Sequence, residues 1–196
     1  MSKIIFILSL CLACLPPAAL AAGSPEAKAY VAKAGEAGKS GDWEQAIASL
    51  TKAIELGERT AEVYKARAGA YLKNEDFDMA VSDCDKAIKL GDKGAKIYSM
   101  RGTAYLNKGL YFDAIADFST VVRLKPRSAA AYTQRGNAYF KTDEYKLAVK
   151  DLSKAIELEP GKPRPYLLRR DAYARLGETA KRDADHRSYM TLSRKK

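Results

Sequence analysis

Small and apolar residues recur along the chain with the spacing of amphipathic helices that come in pairs. Residues 95 to 107 carry one such stripe at Tyr98, Gly102, Tyr105 and Leu106. After a turn at Lys108 and Gly109, residues 112 to 124 carry a second stripe at Ile115, Phe118, Val121 and Val122. Stripes of this width are typical of helices that bury one face. The pattern therefore predicts two antiparallel helices joined by a short turn.

This helix pair is repeated at a fixed interval of 34 residues. The positions that recur are Tyr64, Tyr98 and Tyr132, then Tyr71, Tyr105 and Tyr139, then Ala80, Ala114 and Ala148. Helix-terminating residues follow most of the second helices, at Gly57, Gly91, Pro126 and Pro160. A period of this length is typical of stacked units that bury their apolar faces against one another. The repeat therefore predicts an all-α solenoid.

The repeat resembles the tetratricopeptide repeat (TPR). Counted from Ala129 as position 1, the unit carries the family's pattern at Tyr132, Gly136, Tyr139, Ala148, Leu152, Ala155 and Pro160. Further units begin at about residues 27, 61 and 95. A degenerate fifth unit begins at Pro163, with Arg170 and Arg182 at two small positions and a polar last helix typical of a terminal cap. The resemblance implies a right-handed α-solenoid over residues 23–192, followed by a basic tail, residues 193–196.

Residues 1–22 have the composition of a bacterial signal peptide. Lys3 precedes an apolar run, and Ala19-Leu20-Ala21 forms a cleavage signal, so we expect an exported, periplasmic or secreted protein. An alternative is a lipoprotein signal ending at Cys14, which would attach the chain peripherally to a membrane. After signal removal Cys84 is the single cysteine, and it has no internal disulfide partner.

Arginine and aspartate recur together in units two to five. Arginine occupies position 7, as Arg67, Arg101, Arg135 and Arg169, and aspartate occupies position 23, as Asp83, Asp117, Asp151 and Asp185. The first unit has Lys33 and Ser49 instead. This joint presence and absence predicts structural Arg–Asp pairs within a unit or between neighbours. The alternative is a row of arginines that binds an anionic ligand, but it gives no reason for the matching aspartates.

The resemblance places a concave groove along positions 2, 5, 9, 12 and 13 of each first helix. Eight cations and two anions occupy these positions, and the chain as a whole has a net charge of +10. We therefore expect a basic groove for an acidic or extended peptide. An alternative is that these lysines are ordinary solvated helix positions. The candidate groove residues are Lys65, Lys73, Lys96, Asn107, Asn137, Phe140, Lys141, Arg164 and Arg175.

Catalytic chemistry has little support in the sequence. His186 is the single histidine and belongs to the polar last helix, and Cys84 occupies a core position of its repeat. No phosphate-binding glycine loop or metal-ligand motif is present, so we expect no enzyme activity, no metal and no cofactor. Trp43 is at position 17, where Phe77, Tyr111 and Tyr145 follow in later units, and we expect it in the core.

The predicted function is that of a non-catalytic adaptor of the bacterial envelope that binds a partner protein. The alternative is attachment to an anionic envelope polymer or membrane surface through the basic face. Nucleic acid is not an expected partner, because the chain is predicted to be exported and has no aromatic stacking platform. The oligomeric state is left open.

Overall fold

Ten α-helices follow one another in residues 23–194, the part of the chain that the computed structural model describes. They are α1 (Pro25–Ser40), α2 (Trp43–Glu55), α3 (Ala61–Lys73), α4 (Phe77–Lys89), α5 (Ala95–Asn107), α6 (Tyr111–Leu124), α7 (Ala129–Lys141), α8 (Tyr145–Leu158), α9 (Pro163–Arg175) and α10 (Thr179–Ser193). No strand occurs within residues 23–194, so the predicted all-α fold is confirmed. The predicted signal peptide and the last two residues of the predicted tail lie outside the described residues.

The helices form five units, each made of an odd-numbered helix and the even-numbered helix that follows it. Left-handed residues make the turn inside each unit: Gly41, Gly109 and Gly177 have φ values of 79°, 78° and 75°. The second and fourth units have Glu75 and Asp143 at the same place, with φ values of 63° and 62°. The predicted breaks after second helices are confirmed at Gly57 and Gly91, both with φ of 98°.

Small residues allow the two helices of a unit to approach closely. A Cβ atom on Gly136 would lie 2.9 Å from Cγ of Leu152, and one on Gly102 would lie 3.2 Å from the ring of Phe118. Ala68 occupies the same repeat position and is fully buried against Cys84 and Ile97. These contacts explain why the repeat has glycine or alanine at position 8.

The solenoid curves with its odd-numbered helices on the inside. Helices α3, α5, α7 and α9 contact one another in series, in addition to their contacts with the even-numbered helices. The odd-numbered helices therefore line the concave side, and we call the even-numbered ones the outer helices. At the carboxy-terminal end, Asp185 is the only buried residue of α10, which fits its predicted role as a polar cap.

Candidate binding groove

Three hollows open along the concave side of the solenoid. The amino-terminal hollow lies between the first two units and has a volume of about 430 Å³; Val31, Gly35, Gly38, Trp43, Leu50 and Gly69 are among the residues that line it. The lysine hollow, of about 350 Å³, is lined by Glu62, Lys65, Ala66, Gly69, Leu72, Lys73, Lys96 and Met100. The carboxy-terminal hollow, of about 380 Å³, includes Ser99, Ala130, Thr133, Lys162 and Arg164.

Three of the candidate lysines meet in the lysine hollow, but they differ in their electrostatic state. Lys65 is held by Glu62 at 2.5 Å and by Asp92 at 2.9 Å. Its hydrogen bonds to Glu62 and Asp92 raise the pKa of Lys65 and neutralise its charge locally. Lys73 and Lys96 are exposed and make no ion pair with any described residue. The positive charge that this hollow offers to a ligand therefore comes mainly from Lys73 and Lys96.

The other candidate residues are spread along the groove. Arg164 lines the carboxy-terminal hollow, and Lys141 is exposed at the end of α7. The amide of Asn107 donates to the Thr103 carbonyl of its own helix at 2.8 Å. Asn137 is half-buried on α7. The odd-numbered helices thus carry a second pair of cations, Lys141 and Arg164, one unit or more away from the lysine hollow.

Two candidate residues near the carboxy-terminal end of the groove contact the aromatic ring of Tyr145. Phe140 packs on Tyr145, with ring centroids 5.5 Å apart, and contacts the core formed by α7, α8 and α9. The guanidinium of Arg175 lies over the same Tyr145 ring, 4.9 Å from its centroid, and 3.7 Å from the Asp143 carboxylate. These two side chains are therefore partly occupied by contacts within the fourth and fifth units.

The structure brings each periodic arginine to the aspartate of its own unit, and we call these four pairs the Arg–Asp ladder. Nε and Nη2 of every arginine donate to the two carboxylate oxygens of one aspartate. The N–O distances are 2.6 and 3.0 Å for Arg67–Asp83, 2.8 and 2.8 Å for Arg101–Asp117, 2.7 and 2.9 Å for Arg135–Asp151, and 2.8 and 2.8 Å for Arg169–Asp185. This bidentate geometry suits the planar guanidinium.

Each ladder arginine also binds the preceding unit. Its Nη1 donates to an acceptor at repeat position 25 of that unit: Thr51 at 2.8 Å, Asp85 at 2.5 Å, Ser119 at 3.1 Å and Ser153 at 2.8 Å. The sequence pattern did not reveal these partners, because threonine, aspartate and serine share an acceptor oxygen but not a residue type. Every arginine therefore ties one unit to the next.

Tyrosines enclose the guanidinium groups of the ladder. The Cζ atom of each arginine lies 5.7 to 5.9 Å from two ring centroids, those of the tyrosines at positions 4 and 11 of its unit. The aspartates are buried, with Asp83 fully so. A guanidinium that is paired on its edge and covered by rings offers little charge to an anionic ligand, so the geometry favours the structural interpretation.

Two further residues carry reactive groups in the described part of the chain. Burial raises the pKa of the Cys84 thiol to about 12, partly offset by Arg101, so the thiol stays protonated and is a poor nucleophile. His186 is exposed on α10.

Residues 23–194 contain no cluster of three or more side chains that could hold a metal ion. Among the helices of these residues, none is long and apolar enough to cross a bilayer.

Comparison with known proteins identifies the same repeat. Models of the tetratricopeptide repeat match residues 31–95, 95–128 and 129–162, which together cover about two thirds of the chain. A sequence search of curated proteins gives no match.

Solved structures with the same architecture include two repeat proteins. MamA of Desulfovibrio magneticus RS-1, from residue 41 to its end, superposes with a TM-score of 0.84 at 22% identity, over 89% of this chain and 99% of that one. YrrB, described as a TPR protein with an unusual peptide-binding site, superposes with a TM-score of 0.74 at 20% identity, over 87% of this chain and 93% of that one. At these identities the likeness shows the fold alone.

Proposed function

Because the chain belongs to the tetratricopeptide repeat family, we propose that it is a non-catalytic adaptor that binds an acidic, extended segment of a partner protein in its concave groove. The fold is that of a protein–protein interaction scaffold. The distribution of charge is the observation that supports an acidic peptide as the ligand. Lys73, Lys96 and Arg164 line the hollows, and Lys141 is exposed on α7 at the repeat position of Lys73. None of these four cations makes an ion pair with a described residue, whereas the ladder arginines are each paired with an aspartate.

The proposed site of action is the bacterial envelope. Support for it comes from the signal-like pattern of residues 1–22, which lie outside the described residues. An extended peptide from an envelope protein would lie across the odd-numbered helices, with its carboxylates on the unpaired cations and its apolar groups in the hollows between them.

The test compares two charge-reversal variants as baits in a cell-envelope extract. The groove variant changes Lys73, Lys96, Lys141 and Arg164 to Glu, and Lys65 is left intact because it is paired with Asp92. The matched control changes four cations of the outer helices to Glu, namely Lys89, Arg123, Lys146 and Lys150. Both variants undergo the same change in net charge. We expect a partner that the native chain and the control retain and the groove variant loses.

Two results would contradict the proposal. Retention of every captured protein by the groove variant would show that these cations are ordinary solvated surface. Equal loss with both variants, together with binding that weakens steeply with salt and has no sequence preference, would instead favour attachment to an anionic polymer or membrane surface.

A further inference from the structure

An aromatic side chain opens the second helix of each of the first four units, and in the fourth unit the side chain at position 12 covers it. Phe140, at position 12, packs on the Tyr145 ring with centroids 5.5 Å apart and ring planes at 59°. In the second unit, Leu72 and Phe77 pack on the same core cluster. The residue at position 12 thus covers the aromatic at position 17 in the fourth unit and shares a core cluster with it in the second.

The first unit lacks this cover. Its position 12 is Gly38, whose Cβ, if present, would lie 3.7 Å from the Trp43 ring. Position 9 is Gly35, and a Cβ there would meet no atom within 4 Å. Trp43 therefore packs on Ala37 and Ala46 on one side and lines the open amino-terminal hollow on another.

The amino-terminal hollow is almost entirely apolar, and it is continuous with the lysine hollow. Besides Trp43, its lining includes Val31 and Leu50, and within residues 23–194 Lys73 at its rim is the only charged residue that lines it. Ala66, Gly69 and Lys73 line both hollows, so the two hollows adjoin along α3. A ligand could therefore fill the first hollow and reach Lys73 and Lys96 with the next few residues.

We infer that the amino-terminal hollow is the specificity pocket of the groove and receives one large apolar side chain, close in sequence to carboxylates, of the bound peptide. That side chain lies on the Trp43 ring as Phe140 lies on Tyr145, and the carboxylates pair with Lys73 and Lys96. This inference depends on the proposed peptide-binding function and adds the chemistry of the ligand. An acidic peptide that lacks a large apolar residue is a poor ligand.

Trp43 is the single tryptophan of the chain, so its emission reports directly on this hollow. The purified protein is titrated with a ten-residue peptide of glutamate and glycine that carries one central phenylalanine, and with the same peptide carrying alanine there. Affinity is measured by anisotropy of the labelled peptides. We expect the phenylalanine peptide to bind at least about tenfold more tightly. Burial of an aromatic ring contributes about 1.5–3 kcal/mol, and 1.4 kcal/mol corresponds to a tenfold change in Kd. The phenylalanine peptide alone should shift the tryptophan emission to shorter wavelength.

Two variants locate the effect. Gly38→Leu introduces the leucine that the second and third units have at position 12, and it should fill the hollow; its Cβ would make only an ordinary contact with Trp43. It should abolish the tenfold preference and leave the affinity for the alanine peptide unchanged. Ala48→Leu adds the same leucine to an exposed site of outer helix α2 and should change neither affinity. Thermal unfolding of both variants checks that they are folded.

The possible outcomes separate this inference from the proposed function. Equal affinities for the two peptides, with weaker binding of both by Lys73→Glu, would overturn the pocket and keep the basic groove. Failure of both peptides to bind would overturn the pocket and the groove together. If sedimentation showed a dimer that Gly38→Leu dissociates, the occupant would be a second copy of the chain, and the inference would be wrong.

Discussion

At the scale of single residues, the arginines of the Arg–Asp ladder have unequal support. Arg67 is held by the Asp83 carboxylate and by the hydroxyl of Thr51. Arg101 is held by two carboxylates, those of Asp117 and Asp85, which together raise its pKa although burial opposes the increase. Loss of Asp83 therefore leaves Arg67 without a carboxylate partner. Loss of Asp117 leaves Arg101 paired with Asp85.

This difference predicts an order of stability between two variants. Asp83→Ala leaves a buried guanidinium with only neutral partners and should lower the free energy of unfolding by about 3–5 kcal/mol. Asp117→Ala should cost less, because the Arg101 guanidinium still pairs with Asp85 at 2.5 Å. Urea denaturation of the two variants beside the native chain measures both values. Equal costs, or a larger cost for Asp117→Ala, would contradict the assignment of Asp85 as a second partner.

A double variant tests whether the cost comes from the unpaired charge. Arg67→Met with Asp83→Leu removes both ionic groups and puts apolar side chains in their place. It should be more stable than Asp83→Ala alone, because replacing a buried pair by apolar groups is often close to neutral. A double variant as unstable as the single one would show that packing around Tyr64 and Tyr71, rather than charge pairing, dominates at this site.

At the scale of helices and turns, all five units use one left-handed residue between their two helices. Three units have glycine there, and the other two have Glu75 and Asp143. The Asp143 side chain accepts a hydrogen bond from the hydroxyl of Tyr145, whereas that of Glu75 makes no hydrogen bond or ion pair with a described residue. At Glu75, therefore, no side-chain hydrogen bond offsets the free-energy cost of the left-handed conformation.

Glu75→Gly should stabilise the protein by about 1 kcal/mol, since glycine adopts this conformation without the steric cost of a Cβ atom. Gly109→Ala, at the equivalent turn with φ of 78°, is the matched change in the opposite direction and should destabilise it by a similar amount. The midpoints of thermal unfolding measure both effects. A lower midpoint for Glu75→Gly would mean that flexibility gained in the unfolded chain outweighs the strain that is relieved.

The helices and their breaks were predictable from the sequence because each depends on residues close together in the chain. The spacing of Tyr98, Tyr105 and Phe118 places them on helix faces, and the observed α5 and α6 begin and end within one residue of the prediction. The ion pairing that neutralises Lys65 was not predictable, because its partner Asp92 lies 27 residues away, in the loop before the next unit. Trp43 was expected in the core, and only the neighbouring glycines leave part of its ring at the hollow.

At the scale of the whole molecule, the two ends of the solenoid are unlike. The fifth unit retains its ladder pair, Arg169–Asp185, and binds Ser153 of the fourth unit. The first unit has no such pair. Its contacts with the second unit are the hydrogen bond from Arg67 to the Thr51 hydroxyl, equivalent to the Arg169–Ser153 bond, and shared apolar clusters, so the two ends differ in the pair inside the unit. Because the stability of a repeat array is approximately a sum of unit and interface contributions, the first unit should open before the others.

Amide hydrogen exchange should show this asymmetry, with faster exchange in α1 than in α7. Helix α1 also carries Gly35 and Gly38 in its interior, and each costs about 1 kcal/mol relative to alanine. A Cβ on Gly35 would meet no atom within 4 Å, so Gly35→Ala should be free of strain. It should slow exchange in α1 by about fivefold, the factor for 1 kcal/mol, and leave α7 unchanged. Uniform exchange over both helices, or slowing in both, would mean that the array opens as one cooperative unit.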